Sequence, residues 1–294
     1  MLCGLELSPG LQGKSASICL SIDGRAKKWI VYPHPYLQVQ GELIPTLTIN
    51  QVYKYLGVNI SPQSTKATVS DTLKQGLSNI SKAPLKPQQR LYTADCHLVP
   101  KLLHQLSLTP SSAKYLKWLD LTMRSAVRSW LKLPKDTSTT FFHAKAVDGG
   151  LNLPLLEHEI PLLNQARAAR MADSTNPVVR AMLETPQTTL NASVVGTRQG
   201  LRGVLAQQLN RSCNGRGLAT APHVPAQHLW ATSGDMTLNG HAYIGAIKIR
   251  GNLVSTALRS ARGRPNHDIR CDCCGRPESL GHILRVCPQT RASH

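Results

Sequence analysis

Acidic residues are scarce in this chain: 16 Asp and Glu face 34 Lys and Arg, a formal charge of +18 over 294 residues. That shortage excludes the balanced surface of an average cytosolic enzyme and implies a polyanionic partner. Long apolar runs are also missing. No stretch approaches 18 consecutive apolar residues, and the opening MLCGLELSPGLQGK lacks the basic start and apolar run of a secretory signal, so neither a membrane span nor secretion is expected. Eight cysteines are too few for a disulfide scaffold. Catalytic patterns are absent too: there is no adjacent Asp-Asp pair, no Gly-x-Ser-x-Gly, no phosphate-cradling Gly-x-x-x-x-Gly-Lys-Ser/Thr and no His-Glu-x-x-His. Apolar residues, at 41%, are plentiful enough to fill a core, which excludes general disorder.

What is present changes character along the chain. Residues 17–60 read as a short β meander, with apolar runs in SICLSIDG and KKWIVYPHP broken by Asp23, Gly24, Pro33 and Pro35. QVYKYLGVNI reads as a strand or strand pair, with Tyr53, Tyr55 and Val58 facing inward. A helical period then takes over and predicts helices over 68–81, 86–107, 111–132 and 155–172. In AKYLKWLDLTMRSAVRSWLKL it places Tyr115, Leu119, Met123, Ala126 and Trp130 on one face and Lys117, Arg124, Arg128 and Lys132 near the opposite one. That cationic stripe suits phosphate contact, or is a solvated face of an ordinary core helix. Residues 174–240 read as a linker rich in Ser, Thr, Asn, Gly and Pro, with one helix near 198–209. The stretch 241–270 is basic, with Arg250, Arg259, Arg262 and Arg264, and no acidic residue interrupts 241–264. Cys3, Cys19, Cys96 and Cys213 have no partner at ligand spacing and read as buried thiols.

The sharpest motif is CDCCGRPESLGHILRVC. Two residues separate Cys271 from Cys274, seven separate Cys274 from His282, and four separate His282 from Cys287. A Cys-x-x-Cys turn brings two thiolates to a metal at about 2.3 Å, and a His and a Cys near one helical turn apart close a tetrahedron, the pattern of structural Zn2+. Ile283, Leu284 and Val286 are expected to anchor the short helix that carries the histidine. Cys273, His267 and His294 stand as alternatives for individual ligand positions. Four protein ligands leave no place for a reactive water, so the metal is expected to be structural.

Taken in order, GLELSPGLQGKSAS, YKYLGVNI, LPKDTSTTFFHAKAVDGGLNLPLLE, IKIRGNLVSTALRSARGR and the cysteine cluster resemble one template. It is the downstream part of the reverse transcriptase polyprotein of site-specific non-long-terminal-repeat retrotransposons, the clade that inserts into ribosomal RNA genes and carries a restriction-like endonuclease. The resemblance implies an α+β chain: a β-rich palm remnant with primer-grip-like strands over 1–62, a helical thumb over 63–173, a linker over 174–240, a basic segment over 241–270 and a zinc knuckle over 271–294. It implies that Lys14 is the palm lysine and that Tyr53, Tyr55, Leu56 and Gly57 form the primer-grip strand. The metal-binding aspartates of such a polymerase, and the endonuclease, would lie outside this chain, which reads as a truncated element.

The expectation is therefore a nucleic-acid-binding segment that is not an enzyme on its own, with RNA, DNA or a template-primer duplex as partner, Zn2+ as cofactor and a nuclear location. Two competing readings are a subunit that completes a polymerase in trans and a repurposed zinc-knuckle protein that binds RNA or protein partners.

Overall fold

Alternating side chains in LSID and KWIV fold as an antiparallel ribbon in the computed structural model, which describes residues 16–32, 37–39, 42–55, 58–60, 66–109, 111–181, 196–219, 228, 230–234, 237–264 and 266–291. Strands β1 (Leu20–Asp23) and β2 (Lys28–Val31) pair Leu20 with Val31 and Asp23 with Lys28. Their turn is closed by the Asp23 carboxylate, which accepts from Arg25 N at 2.9 Å and Ala26 N at 3.2 Å, and Lys27 takes a left-handed φ of 47°. Two further ribbons follow, β3 (Gln38–Val39) with β4 (Glu42–Leu43) and β5 (Tyr53–Tyr55) with β6 (Val58–Ile60). Among the described residues the expected meander is thus three two-stranded hairpins, with a bridge between Ser17 and Thr46 tying the chain before β1 to the chain after β4. Leu20 and Ile22 on one side of the first ribbon, and Ile30 on the other, are exposed.

The helices begin with α1 (Lys66–Lys82), α2 (Pro87–Thr93), α3 (Val99–Leu108) and α4 (Ala113–Trp130). The sequence predicts one helix over 86–107. The structure interrupts it with a π turn at Ala94–Leu98, immediately before Pro100. A proline in a helix has no N–H to donate and its ring presses on the carbonyl four residues back, here Cys96; widening the preceding turn relieves both. Cys96, on that turn, is exposed, as is Cys213, and Cys19 is half-buried, so none of these three is the buried thiol expected. Helix α5 (Thr139–His143), a 3-10 turn at Ala146–Asp148 and α6 (Leu156–Ala172) complete the expected helical region, and α7 (Pro177–Ala181) follows.

One core runs through these helices: Leu73, Leu91, Leu102, Leu116, Leu119, Phe141, Phe142, Leu156 and Ile160 are all fully buried or nearly so. Part of the expected linker belongs to it. Helix α8 (Arg198–Arg211) packs on α5 and α6 and buries Leu201, Leu205 and Leu209, while Ala231 and Tyr243 close the same core. The chain continues through α9 (Arg216–Ala219), α10 (Gly240–Arg250), α11 (Ala257–Ser260), α12 (Leu280–Arg285) and α13 (Pro288–Arg291). Between α5 and α6 the chain doubles back so tightly that Gly149 takes φ 99°, and a Cβ on Gly150 would stand 2.1 Å from Ala144 O. Only glycine fits there. Among the described residues no helix is long and apolar enough to cross a membrane.

Candidate metal centre and nucleic-acid interface

The C-terminal segment is shaped by backbone turns before any ligand is considered. Cys271 N donates to Arg276 O at 2.7 Å, Gly275 N donates to Cys271 O at 2.8 Å, and Gly275 takes φ 68°, so the chain reverses with both thiols of the Cys-x-x-Cys on its inner side. Ser279 caps α12 by accepting from His282 N at 3.1 Å, and Cys287 N donates to His282 O at 2.9 Å. These turns bring the ligand atoms of Cys271, Cys274, His282 and Cys287 within 4.8 Å of one another. Cys271 Sγ and Cys287 Sγ are 3.9 Å apart, and Cys274 Sγ lies 3.2 Å from His282 Nε2. Tetrahedral metal–sulfur bonds of about 2.3 Å place two sulfurs about 3.8 Å apart, whereas a disulfide needs about 2.05 Å. The donor set therefore fits a four-coordinate metal ion. Cys273 is exposed and outside this four-residue set, although its thiol meets that of Cys287; His267 is exposed, and His294 lies outside the described residues.

The anchoring expected of the short helix is different. Ile283 is half-buried, but Leu284 and Val286 are exposed, and the buried side chains among the described residues of this segment are Cys271, His282 and Cys287 themselves.

The cationic stripe of α4 is not one face. The buried side of the helix carries Leu116, Leu119, Asp120, Met123, Val127 and Trp130, with Tyr115 and Ala126 partly buried against it. Lys117 and Lys132 are exposed, the latter at φ 49° just past the helix end. Arg124 turns inward, its Nη1 3.0 Å from His143 Nε2, and the Arg128 guanidinium lies 5.1 Å from the centre of the Phe142 ring. The most open side of α4 instead carries Lys114, Trp118, Leu121, Ser125 and Ser129. With α1 it borders an open groove of about 570 Å3 that includes Lys74. Lys74 Nζ also sits 5.3 Å over the Trp118 ring.

The second basic run is divided in the same way. Arg250 is half-buried and donates to Gly150 O at 3.2 Å and Ala146 O at 2.5 Å, clamping the Asp148–Gly150 turn; burial pulls its guanidinium down to about 10. Arg259 bonds Asn252 O at 2.8 Å and Asp136 Oδ1 at 2.6 Å. Arg262 and Arg264 are exposed.

Two residues that the sequence does not single out organise the helices around the first stripe. Asp120, from α4, accepts from Leu156 N at 2.9 Å and Glu157 N at 3.0 Å and so caps α6 from another helix. Burial pushes its carboxyl up to about 7, against the pull of these two donors and of Arg124. His143 Nδ1 is within 3.2 Å of Leu153 O and 3.1 Å of Pro154 O, so that nitrogen carries the hydrogen and Nε2 accepts from Arg124. Burial and the Arg124 charge hold the imidazole neutral by lowering it to about 4. The one available signal for Asp120 is a polar residue on the apolar side of an amphipathic helix.

Of the strand residues singled out, Tyr53 is half-buried on β5 and Tyr55 ends that strand, while Leu56, Gly57 and Lys14 lie outside the described residues.

No protein-family model matches the chain. Curated proteins do. Over 98% of its length the chain is 30% identical to the Retrovirus-related Pol polyprotein from type-1 retrotransposable element R2 of Nasonia vitripennis, covering 28% of that protein. It is 31% identical over 83% of its length to the Pol polyprotein from type-2 retrotransposable element R2DM of Drosophila melanogaster, covering 24%. It is 32% identical over 93% of its length to the corresponding type-1 R2 protein of Bradysia coprophila, covering 33%. The chain thus spans about a quarter to a third of the length of these relatives.

Proposed function

We infer that this chain, which is related along most of its length to the Pol polyproteins of R2-type non-long-terminal-repeat retrotransposons, is a metal-stabilised nucleic-acid-binding segment of such a reverse transcriptase. The observation that carries the reading is that this relationship extends to a chain with a charge of +18 whose terminal segment gathers three thiols and an imidazole. The partner is RNA, DNA or their template-primer duplex. The metal is Zn2+, in keeping with three sulfurs and one nitrogen at tetrahedral spacing. When bound it supplies a fixed cross-link between the Cys271 turn and α12, with no open position for chemistry.

In this reading the helices from α1 to α6 are the thumb, the ribbons belong to the palm with Tyr53, Tyr55, Leu56 and Gly57 at the primer grip, Lys14 is the palm lysine, and the protein acts in the nucleus. Lys117 on α4, Lys132 just past its end, and Arg262 and Arg264 before the knuckle are the exposed side chains that reach phosphates, Arg262 from beside Asp136. Arg124, Arg128 and Arg250 chiefly hold the surface in shape, and Arg259 is engaged by Asn252 O and Asp136. Polymerisation needs two metals held by closely placed aspartates, and the chain has no adjacent Asp pair, so it extends no primer alone. The apolar side chains exposed on both sides of the β1–β2 ribbon favour completion of a palm by further strands, in cis or in trans.

Binding to duplex and single-stranded RNA and DNA over a salt series tests the reading. A log–log slope near −0.9 per phosphate on duplex DNA is expected. No salt-dependent binding to any of the four overturns it.

A further inference from the structure

The two basic stretches, far apart in sequence, meet in the fold. The turn after α4, residues 131–138, lies against the run that follows α10, and Asn214 joins them: its Oδ1 accepts from Ser138 N at 2.8 Å and its Nδ2 donates to Gly251 O at 2.8 Å. Asn214 is buried. Across this seam Arg259 is fixed by Asn252 O and meets Asp136 at 2.6 Å, while Arg262 Nη1 stands 3.9 Å from the other oxygen of the same carboxylate. Lys132, Lys135, Arg262 and Arg264 on the two strips are exposed. Neither 121–135 nor 236–267 contains an acidic residue. Asp136 is the carboxylate that faces Arg259 and Arg262 across the seam, while Glu278 reaches the same run from the other side by accepting from Ala257 N at 3.0 Å.

We propose that this seam is a binding site for a nucleic-acid backbone phosphate, and that Asp136 holds the phosphate's place on Arg259 and Arg262 until the nucleic acid displaces it. The proposal rests on the nucleic-acid reading above and adds to it a site and a built-in competitor. A guanidinium fork accepts a carboxylate or a phosphate with the same paired geometry. The Arg259 side chain is only 9% exposed and held by a backbone carbonyl, so an incoming phosphate meets it already placed; Asp136 is 53% exposed and can swing into water. A half-exposed ion pair of this kind is weakly held. A backbone phosphate, backed by its neighbours along the strand, also finds Lys132, Lys135 and Arg264 beside it, whereas a free phosphate finds one position only.

The full chain, its metal retained, is titrated with short duplex DNA and single-stranded RNA by fluorescence anisotropy. Asp136→Asn should tighten binding by about five- to tenfold at about 0.1 M salt and steepen the slope on duplex DNA by up to about 0.9, the release expected for one more phosphate contact. Asp173→Asn makes the same charge change at the far end of α6 and should alter affinity less than about twofold and leave the slope unchanged. Adding Arg262→Gln to Asp136→Asn should abolish the gain. Inorganic phosphate, added at constant ionic strength, should leave the complex intact through the low millimolar range. If the wild type binds and Asp136→Asn gains nothing, or Asp173→Asn gains as much, the seam is overturned while the wider reading stands. Displacement by micromolar inorganic phosphate would make this a small-anion site and overturn it too. If neither wild type nor Asp136→Asn binds, both readings fall.

Discussion

The helical unit and the cysteine-histidine segment solve the same problem with different materials. From α1 to α8 the chain buries leucines at almost every turn, with Leu73, Leu102, Leu106, Leu116, Leu119 and Leu156 at 0% exposure. The terminal segment has no such reserve: Leu284 is 50% and Val286 45% exposed, and its buried side chains are three of the four candidate ligands. A segment of about 25 residues buries too little apolar surface to offset its chain entropy and needs a staple. In the proposed reading a metal does for 266–291 what leucine does for the helices, so the two parts should fail independently and for unlike reasons.

The largest expected effect comes from breaking the staple. Structural zinc in small domains binds with about 10–16 kcal/mol, most of it coupled to folding, so chelation or Cys274→Ser should unfold 266–291. Amide exchange there should rise to that of free chain while α4 and α6 stay protected, and metal analysis should fall from one zinc per chain to none. Retained metal, or loss of protection in α4, would break the comparison. The converse change is Phe141→Ala, which empties a fully buried site and should cost about 3–5 kcal/mol; urea unfolding should register it with metal content unchanged.

A subtler prediction uses the polar pair inside the helical unit. From pH about 4 to 6.5 the folded chain keeps the Asp120 proton that the unfolded chain has lost, and lacks the His143 proton that the unfolded chain holds. These two contributions to the pH slope oppose each other and nearly cancel. Asp120→Asn removes one of them, so its stability should rise with pH over that window by up to about 1.4 kcal/mol per unit. His143→Gln should show the reverse, falling as pH climbs from about 4 to 7. Parallel pH profiles for all three proteins in thermal unfolding would contradict this account of the pair.

The smallest effects sharpen the division within the basic residues. Arg124→Gln leaves His143 without its donor and should lower stability by about 1–3 kcal/mol, with little change in the salt dependence of nucleic-acid binding. Lys117→Gln with Lys132→Gln should do the opposite, flattening the slope by about two units if both touch phosphate while unfolding stays within about 0.5 kcal/mol of wild type per site.

Much of this was legible because it is local. The apolar period marks α1, α4 and α6 within a few residues, and the spacing of Cys271, Cys274, His282 and Cys287 names the four residues that converge. What stayed hidden depends on partners distant in sequence. Nothing near Asp120 shows that it will cap a helix 36 residues on, and nothing near Arg259 shows that Asp136, 123 residues earlier, will be its counter-ion. Charge on a helical wheel also does not distinguish an arginine in water from one lying on a phenylalanine ring, as Arg128 does. The single helix expected over 86–107 missed its π turn because apolar spacing continues through it.

That turn fixes the phase of everything after it. The buried positions Ala94, Leu98, Leu102 and Leu106 recur every four residues, and at 100° per residue each such step overshoots a full rotation by about 40° in a straight α-helix. The wider π turn rotates less per residue and pulls the stripe back toward the core. Its length therefore acts as a register mark. Deleting one residue between Ala94 and Leu98 would restore ordinary winding, drive the Pro100 ring against a carbonyl and rotate Leu102 and Leu106 off the buried face. Related chains should accept substitutions across these five positions far more readily than any change in their number.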